Sequence, residues 1–267
     1  MEFGLMGRLV VRCGETVLVV PPGKQRAVLA VLLIRTGQVV PIDELIDLIW
    51  AGDPPRSARV TLHNYVRRLR HVLSAAGQPA PVKTSGSGYL VETAADELDV
   101  TRFRALCDSG RKAADRKDWG RAAAELGVAL SLWRGQPLMD IPCPRLTDVE
   151  APHLIAMRIA ALEDRIDADL HRGRHREVVA ELQRLAEAEP LREHVHAQLM
   201  LALYRSARQA DALAAYQRAR GALVSELALE PGLELRRMHH QILNADPVLD
   251  YRAGSAADYA AGSAGAG

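Results

Sequence analysis

Hydrophobic and polar positions divide the chain into a short mixed part and a long helical part. Over the first 20 residues, short apolar runs alternate with turn residues, which is typical of β-strands. We predict strands in the runs EFGLMG, RLVVRC and TVLVV, with a stop at Pro21-Pro22-Gly23. Residues 24–36 are apolar through their middle and predict a buried helix that ends at Gly37.

The mixed part continues with two helices and a hairpin. Residues 42–50 carry an Ile/Leu stripe on one face and end at Trp50, which predicts a second helix. A break at residues 51–55 precedes a third helix, over residues 56–76. Residues 82–85 and 89–92 are then strand-like, with a tight turn at residues 86–88 between them.

From residue 99 onward, apolar side chains recur at helical spacing. We predict helices over residues 99–116, 119–133, 152–172, 175–188, 192–205, 209–227 and 233–245. The prolines between residues 138 and 152 indicate a loop there. Arg174 and Arg208 open similar basic helices, and their separation matches the 34-residue period of tetratricopeptide helix pairs. Stacked helix pairs of this kind leave a concave groove.

Composition limits the class of protein. The 267 residues are 48% hydrophobic and 25% charged, which suits two globular domains. Apolar runs are too short for a membrane span, and the start does not resemble a signal peptide, so we expect a cytoplasmic protein. Three scattered cysteines fit free thiols in a reducing compartment. Residues 248–267 are rich in Gly, Ala and Ser and predict a flexible tail or linker.

Charge is distributed unevenly although the net charge is only +1. Residues 1–92 hold 11 Lys/Arg against 7 Asp/Glu, and the remainder holds 23 against 26. Nearly half of the basic residues in the first part fall between Arg56 and Arg70. This concentration locates an anion-binding surface better than the total charge does.

The third predicted helix, RVTLHNYVRRLRHVL, has two dissimilar sides. Leu62, Val66, Leu69 and Leu73 fall within about 60° on a helical wheel and predict a core stripe. We call the opposite side the outward face; it comprises Arg56, Val60, His63, Asn64, Arg67, Arg68 and His71. The stretch contains no acidic residue. The face is either a solvated basic surface or a surface that binds an anion.

The order of elements favours the second interpretation. Two helices joined by a proline-bearing turn and followed by a hairpin indicate a winged helix-turn-helix, whose second helix enters the DNA major groove. The predicted recognition-helix contacts are Arg59, His63, Asn64, Arg67, Arg68, Arg70 and His71. The predicted contacts to the DNA backbone, including those of the wing, are Lys24, Arg26, Arg56, Thr61, Lys83, Ser85, Ser87 and Tyr89.

Motifs for catalysis and metal binding are absent from the sequence. Gly23-Lys24 lacks the upstream glycine and the Ser/Thr of a phosphate loop. His171 and His175 are four residues apart, but Gly173 separates them and a third ligand is not evident. A Ser-His-Asp or Cys-His arrangement does not stand out. We therefore expect no enzymatic activity, catalytic residue, metal or cofactor.

Several motifs resemble the Streptomyces antibiotic regulatory protein (SARP) family. They include Leu45-Ile46-x-x-Ile49-Trp50, Pro54-Pro55, Leu62-x-x-Tyr65-Val66-x-x-Leu69-Arg70 and Trp133-Arg134-Gly135-x-Pro137-Leu138. The resemblance covers about residues 1–247. It implies an α+β OmpR-type winged helix-turn-helix over residues 1–93, followed by an all-α, tetratricopeptide-like bacterial transcriptional activation domain over residues 94–247.

The same resemblance implies a function and partners. Members are transcription activators that bind direct repeats overlapping the −35 region of biosynthetic-cluster promoters, as a side-by-side dimer associated with the nucleoid. They recruit the RNA polymerase holoenzyme through σ factor region 4, the α C-terminal domain and the β subunit. The implied polymerase-facing loop is Ala51, Gly52, Asp53, Pro54 and Pro55. The alternative is a helical-repeat adaptor that binds a protein partner and whose basic helix is only surface.

Overall fold

The computed structural model describes residues 1–74, 77 and 79–251. The chain forms two compact units. The first unit comprises Met1–Arg111 and Ala124–Leu162, and the second comprises Lys112–Ala123 with the described residues from Glu163 onward. The predicted fold class is confirmed: an α+β winged helix-turn-helix precedes an all-α, tetratricopeptide-like part.

The chain opens with a three-stranded antiparallel sheet. It consists of β1 (Glu2–Gly4), β2 (Val10–Cys13) and β3 (Thr16–Leu18), in that order. Phe3 pairs with Val11 and Val11 with Leu18, so the three buried side chains form one row across the sheet. Alternate residues of a strand face the same side, and this row fixes which face meets the core.

The winged helix-turn-helix follows this sheet. Its elements are α1 (Lys24–Ile34), β4 (Val40–Pro41), α2 (Ile42–Trp50), α3 (Ala58–Ser74), β5 (Val82–Ser85) and β6 (Gly88–Val91). The seven residues from Ala27 to Leu33 are all buried, so α1 is surrounded by other elements. Helices α2 and α3 and strand β6 pack against it. The strand order of the second sheet is β4-β6-β5.

The sequence suggested that Gly88 is part of the turn before strand β6. In the structure it is the first residue of β6. It pairs with Pro41, and a Cβ atom added to it would lie 2.3 Å from the carbonyl oxygen of Val40. Only glycine allows β4 and β6 to approach this closely. The turn of the wing is therefore formed by Gly86 and Ser87.

Seven predicted helices are confirmed within the described residues. They are α4 (Asp99–Asp115), α5 (Trp119–Ser131), α6 (Pro144–His171), α7 (His175–Ala188), α8 (Glu193–Arg205), α9 (Gln209–Leu227) and α10 (Leu233–Leu243). The predicted start of α6 at residue 152 is wrong, because the helix begins at Pro144 and contains Pro152. Leu146 and Leu154 are both buried at helical spacing, and their packing outweighs the amide hydrogen bond that Pro152 lacks.

The first unit continues beyond the winged helix. The amides of Leu5 and Met6 donate to the carboxylate of Asp99 at 2.9 and 3.0 Å, and Arg134 pairs with the same carboxylate at 2.9 Å. The amide of Leu138 donates to the carbonyl oxygen of Leu5 at 3.0 Å. Residues on both sides of position 93 therefore share one compact unit, and the boundary at 93/94 stays a prediction.

The second unit repeats a helical hairpin. Helix α7 begins at His175 and α9 begins at Gln209, so the repeat is 34 residues long, as in tetratricopeptide pairs. Helix α8 packs against α7, α9 and α10. Fully buried alanines, such as Ala202, Ala212 and Ala219, let these helices approach closely.

The predicted tail begins too early. Pro247–Leu249 forms a 3₁₀ turn, and Leu249 is only 5% exposed. The guanidinium of Arg205 donates from Nε to the carbonyl oxygen of Leu249 at 2.7 Å. This hydrogen bond and the burial of Leu249 hold the segment against α8. The remainder of the predicted tail, from residue 252, lies outside the described residues.

A charged cluster joins three helices of the second unit. His194 of α8 lies 3.1 Å from the carboxylate of Asp167 in α6 and 3.6 Å from that of Glu234 in α10. The hydrogen bond to Asp167, aided by the neighbouring carboxylates and opposed by burial, raises the pKa of His194 to about 9. The imidazolium therefore links the three helices near neutral pH.

We expect His194→Gln to destabilise the protein in a pH-dependent way. The pKa of His194 is higher in the folded state than in the unfolded state. Its contribution to stability is therefore complete below pH about 6.5 and is lost as the pH rises through about 9. Because the cluster is half-exposed, solvent weakens it, and we expect the Tm to fall by only about 2–4 °C. Thermal unfolding of both proteins at about pH 6, 8 and 10 measures the difference.

The matched control is His153→Gln, which alters an exposed histidine of α6 in the first unit. We expect its Tm to follow that of the parent protein across the pH series. A Tm difference between His194→Gln and the parent protein that stays constant from pH 6 to 10 would contradict a stabilising contribution from protonated His194.

Candidate nucleic-acid interface

The inner side of α3 anchors the helix to the core. Leu62, Val66, Leu69 and Leu73 are each at most 1% exposed, as the predicted stripe requires. The helix starts after the proline turn, where the amide of Ala58 donates to the carbonyl oxygen of Pro55 at 2.8 Å. With its inner side fixed, the helix presents its opposite side to solvent.

The outward face is exposed and cationic. His63, Asn64, Arg67, Arg68 and His71 are all exposed on α3, and Arg56 is exposed just before it. Within the described residues, the side chains of Arg56, Arg67 and Arg68 form no hydrogen bond or ion pair. Arg67 and Arg68 are adjacent on α3 and carry like charges without a counter-charge, and a polyanion would offset their repulsion.

Arg59 has a partner that the sequence did not reveal. Its guanidinium pairs with the carboxylate of Asp43, in the first turn of α2, and both side chains are more than half exposed. The stretch itself contains no acidic residue, and the partner of Arg59 comes from the preceding helix. An exposed pair of this kind is weak, so Arg59 remains able to exchange Asp43 for a phosphate.

Arg70 braces the wing and does not point outward. Its Nε donates to the carbonyl oxygen of Val82 at 3.0 Å, and a terminal nitrogen donates to Oγ1 of Thr84 at 2.7 Å. The guanidinium also lies 5.8 Å from the ring centre of Tyr89. The side chain thus joins α3 to both strands of the hairpin, and its predicted role in base contact is corrected to positioning.

Three residues predicted to contact the DNA backbone are occupied inside the fold. Tyr89 is 4% exposed; burial raises the pKa of its hydroxyl, and the charge of Arg70 partly opposes this. Arg26 donates from Nε to the carbonyl oxygen of Val20 and pairs with Asp140. Their predicted contacts are corrected because both side chains are committed to packing within the first unit.

Lys24 is the third of these residues. Its Nζ donates to the carbonyl oxygen of Ile49 at 3.0 Å and lies 4.5 Å from the ring centre of Trp50. The ring of Trp50 in turn stacks on Tyr65, with ring centres 6.3 Å apart. Lys24 therefore closes the C-terminal end of α2, and its predicted contact with DNA is corrected in the same way.

The wing offers small polar groups at its tip. Gly86 and Ser87 are exposed, and Ser85 is half-buried beside them. Lys83 is exposed but pairs across the hairpin with Glu92. Thr61, near the start of α3, is half-buried. The wing can therefore present hydroxyl groups to a phosphate backbone, with Lys83 only partly available.

The loop between α2 and α3 is exposed along its whole length, from residue 51 to residue 55. Ala51 and Gly52 have φ values of 54° and 90°, in the left-handed region. Arg145 of α6 pairs with Asp47, and its guanidinium lies 3.0 Å from where a Cβ of Gly52 would be. Arg145 thus contacts the base of the loop through an exposed ion pair, and the surface of the loop stays free to bind.

Comparison with known proteins assigns the two parts of the chain. The profile of the bacterial transcriptional activator domain matches residues 98–243, and that of the C-terminal domain of transcriptional regulatory proteins matches residues 18–91. The regulatory protein DnrI of Streptomyces peucetius is 35% identical over 257 residues, which is 94% of each chain. This chain belongs to the SARP family. It is a transcriptional regulator with a DNA-binding domain of OmpR type.

Longer relatives match this chain over nearly its whole length. The regulatory protein AfsR of Streptomyces coelicolor is 40% identical over 93% of this chain, which spans 25% of AfsR. The structure of Mycobacterium tuberculosis EmbR, in complex with a low affinity phosphopeptide, matches with a TM-score of 0.89 and 35% identity. That match covers 92% of this chain and 65% of the EmbR chain. Among the described residues of this SARP protein, no helix is long and apolar enough to cross a membrane.

Sequence reasoning missed the residues that bind the basic side chains within the fold. Asp43 partners Arg59 across 16 residues, and Asp140 partners Arg26 across 114. The sequence gives only a weak indication that Asp43 pairs with Arg59. Acidic residues are common in the first turn of a helix, and Arg59 lies in the helix that follows. For Asp140 the sequence gives no signal, since the contact depends on the fold of the whole unit.

We expect Arg70→Ala to loosen the wing of the regulator. The change removes two hydrogen bonds between α3 and β5 and should lower the free energy of unfolding by on the order of 1 kcal/mol. Urea unfolding measures the stability, and amide hydrogen exchange over β5 and β6 locates the change.

The control for this experiment is Arg68→Ala, which removes an exposed arginine of the same helix. We expect Arg68→Ala to leave both the unfolding midpoint and the exchange of the hairpin unchanged. Equal destabilisation by the two variants would show that Arg70 does not act as a brace.

Proposed function

We propose that this SARP regulator activates transcription by binding direct repeats that overlap the −35 region of biosynthetic-cluster promoters. The observation that carries the proposal is the exposed outward face of α3. Arg67 and Arg68 on the helix, and Arg56 just before it, have no ion-pair partner within the described residues. Sequence-independent affinity for DNA comes mainly from such cations, which displace counterions from the phosphates.

Sequence recognition requires side chains that can read base edges. Asn64 supplies an amide that can make two hydrogen bonds with adenine, and Arg67 or Arg68 can do the same with guanine. His63 and His71 lie on the same face and add further donors and acceptors. We propose that Arg59, Thr61 and the serines of the wing contact phosphates beside this face.

Two copies side by side on a direct repeat would each present the loop at residues 51–55 in the same direction. This loop is exposed and in contact with Arg145 at its base, which leaves its surface available to RNA polymerase. We propose that it and the helical part contact the holoenzyme, at σ factor region 4, the α C-terminal domain and the β subunit. Such a protein acts in the cytoplasm at the nucleoid.

The second candidate function is an adaptor that binds protein through its helical repeats. The stacked hairpins of the second unit favour it, because such repeats commonly bind peptides. The two candidates differ in how they bind duplex DNA. An adaptor with an incidental basic surface would bind every duplex weakly and equally, with no sequence-specific remainder.

We expect Arg67→Ala to cost about 1–3 kcal/mol of binding free energy on the specific site if Arg67 reads a base. In that case discrimination at one base pair also relaxes. If Arg67 meets only phosphate, affinity falls alike on every sequence, and the salt dependence of binding weakens by about one phosphate contact. Gel-shift titrations on specific and scrambled duplexes at two salt concentrations separate these results.

Arg12→Ala is the matched control, since it removes an exposed arginine from strand β2. We expect its affinity for both duplexes to stay close to that of the parent protein. If Arg67→Ala binds both duplexes as tightly as Arg12→Ala does, Arg67 does not contribute to DNA binding.

We expect Asp53→Ala to separate activation from DNA binding. Loss of one contact worth about 1 kcal/mol lowers occupancy by the polymerase about fivefold at subsaturating concentrations. Transcription by purified holoenzyme from the target promoter should fall accordingly, while the gel shift stays unchanged. Glu15→Ala, on the turn between β2 and β3, is the control. Unchanged transcription with Asp53→Ala would remove Asp53 from the proposed polymerase contact.

A further inference from the structure

We propose that Val60 determines specificity by contacting the C5-methyl group of a thymine in the major groove. This inference rests on the proposed function, because it requires α3 to enter DNA. It assigns an apolar contact to a helix whose other outward side chains are polar or charged.

The position of Val60 on α3 supports the assignment. It is the third residue of the helix and is 64% exposed. On a wheel of about 100° per residue it lies within about 40° of Asn64 and Arg67 and about opposite the buried Leu69. Val60 is therefore at the centre of the outward face, in the N-terminal turn that recognition helices place against base edges.

Valine is an unexpected choice for this position on grounds of stability. An exposed β-branched residue has a lower helix propensity than Ala, Arg or Lys and gains little from burial here. A single exposed apolar residue is ordinary on a protein surface. This one, however, lies among side chains of opposite chemistry, on the face that has to recognise a ligand.

The major groove contains one apolar group that distinguishes the four base pairs of DNA, the thymine methyl. Arginine and asparagine satisfy the polar edges of guanine and adenine, but neither gains from covering a methyl group. Val60 and Asn64 are one helical turn apart, or about 6 Å along the axis. At about 3.4 Å per base step, the thymine should lie within about two base pairs of the base that Asn64 meets.

The experiment removes the methyl group from the DNA. The full chain selects a duplex from a random-sequence pool, and each thymine of the recovered site is then replaced singly by deoxyuridine. We expect one position in each repeat to weaken binding about fourfold, the equivalent of one buried methyl group. Substitution at the other thymines should leave the affinity unchanged.

Val60→Ala supplies the other half of the double-mutant cycle. We expect it to bind the thymine duplex about fourfold more weakly and to be insensitive to deoxyuridine at that one position. Alanine favours helix formation, so the circular dichroism spectrum should match that of the parent protein. Val19→Ala, which truncates an exposed valine outside α3, should retain full sensitivity to deoxyuridine.

The outcomes separate this inference from the function on which it depends. If the chain selects a duplex but no thymine position is sensitive to deoxyuridine, the inference is overturned and DNA binding stands. The same holds if the parent and Val60→Ala lose equal affinity at every position. If no duplex is enriched, the proposed function itself fails.

Discussion

The packing of α3 against α1 is the constraint on which the candidate site depends. Leu62, Leu69 and Leu73 are fully buried, and burying a leucine stabilises a protein by about 1.5–3 kcal/mol. Exposed ion pairs contribute about 0–1 kcal/mol. Packing therefore sets the rotation of the helix about its axis. That rotation determines where the charged side chains lie. Because a helix is rigid, the side that enters the core determines which residues face solvent.

The basic residues of the first unit have two different tasks. Arg26 and Arg70 satisfy carbonyl oxygens and hold elements together, while Arg67 and Arg68 lie on α3 with no partner in the described chain. Both groups are arginines near the same helix-turn-helix, so residue type alone does not separate them. The difference is geometric: Arg70 lies on the side of α3 that contacts the hairpin, and Arg67 lies on the side exposed to solvent.

The sequence predicts features that depend on local periodicity. The bounds of α7 and α9, the three helices of the helix-turn-helix and the buried stripe of α3 all follow from spacing within one element. Predictions failed where distant residues decide the outcome. Pro152 is accommodated because Leu146 and Leu154 of α6 are buried in a core built with residues from much earlier in the chain, and Tyr89 is hidden by contacts with α3. Both outcomes depend on contacts that spacing within one element does not encode.

The compact first unit extends past the match to the DNA-binding profile, which ends at residue 91. A sequence profile detects similarity between residues along the chain. A compact unit is defined by contacts between residues that can be far apart in the sequence. Asp99 receives the amides of Leu5 and Met6, and Arg145 pairs with Asp47 beside the exposed loop. Residues from the activator-domain profile thus hold both the first sheet and the base of the α2–α3 loop. These contacts place residues of both profile matches in one compact unit, so the exposed loop and the first sheet are built from both parts of the chain.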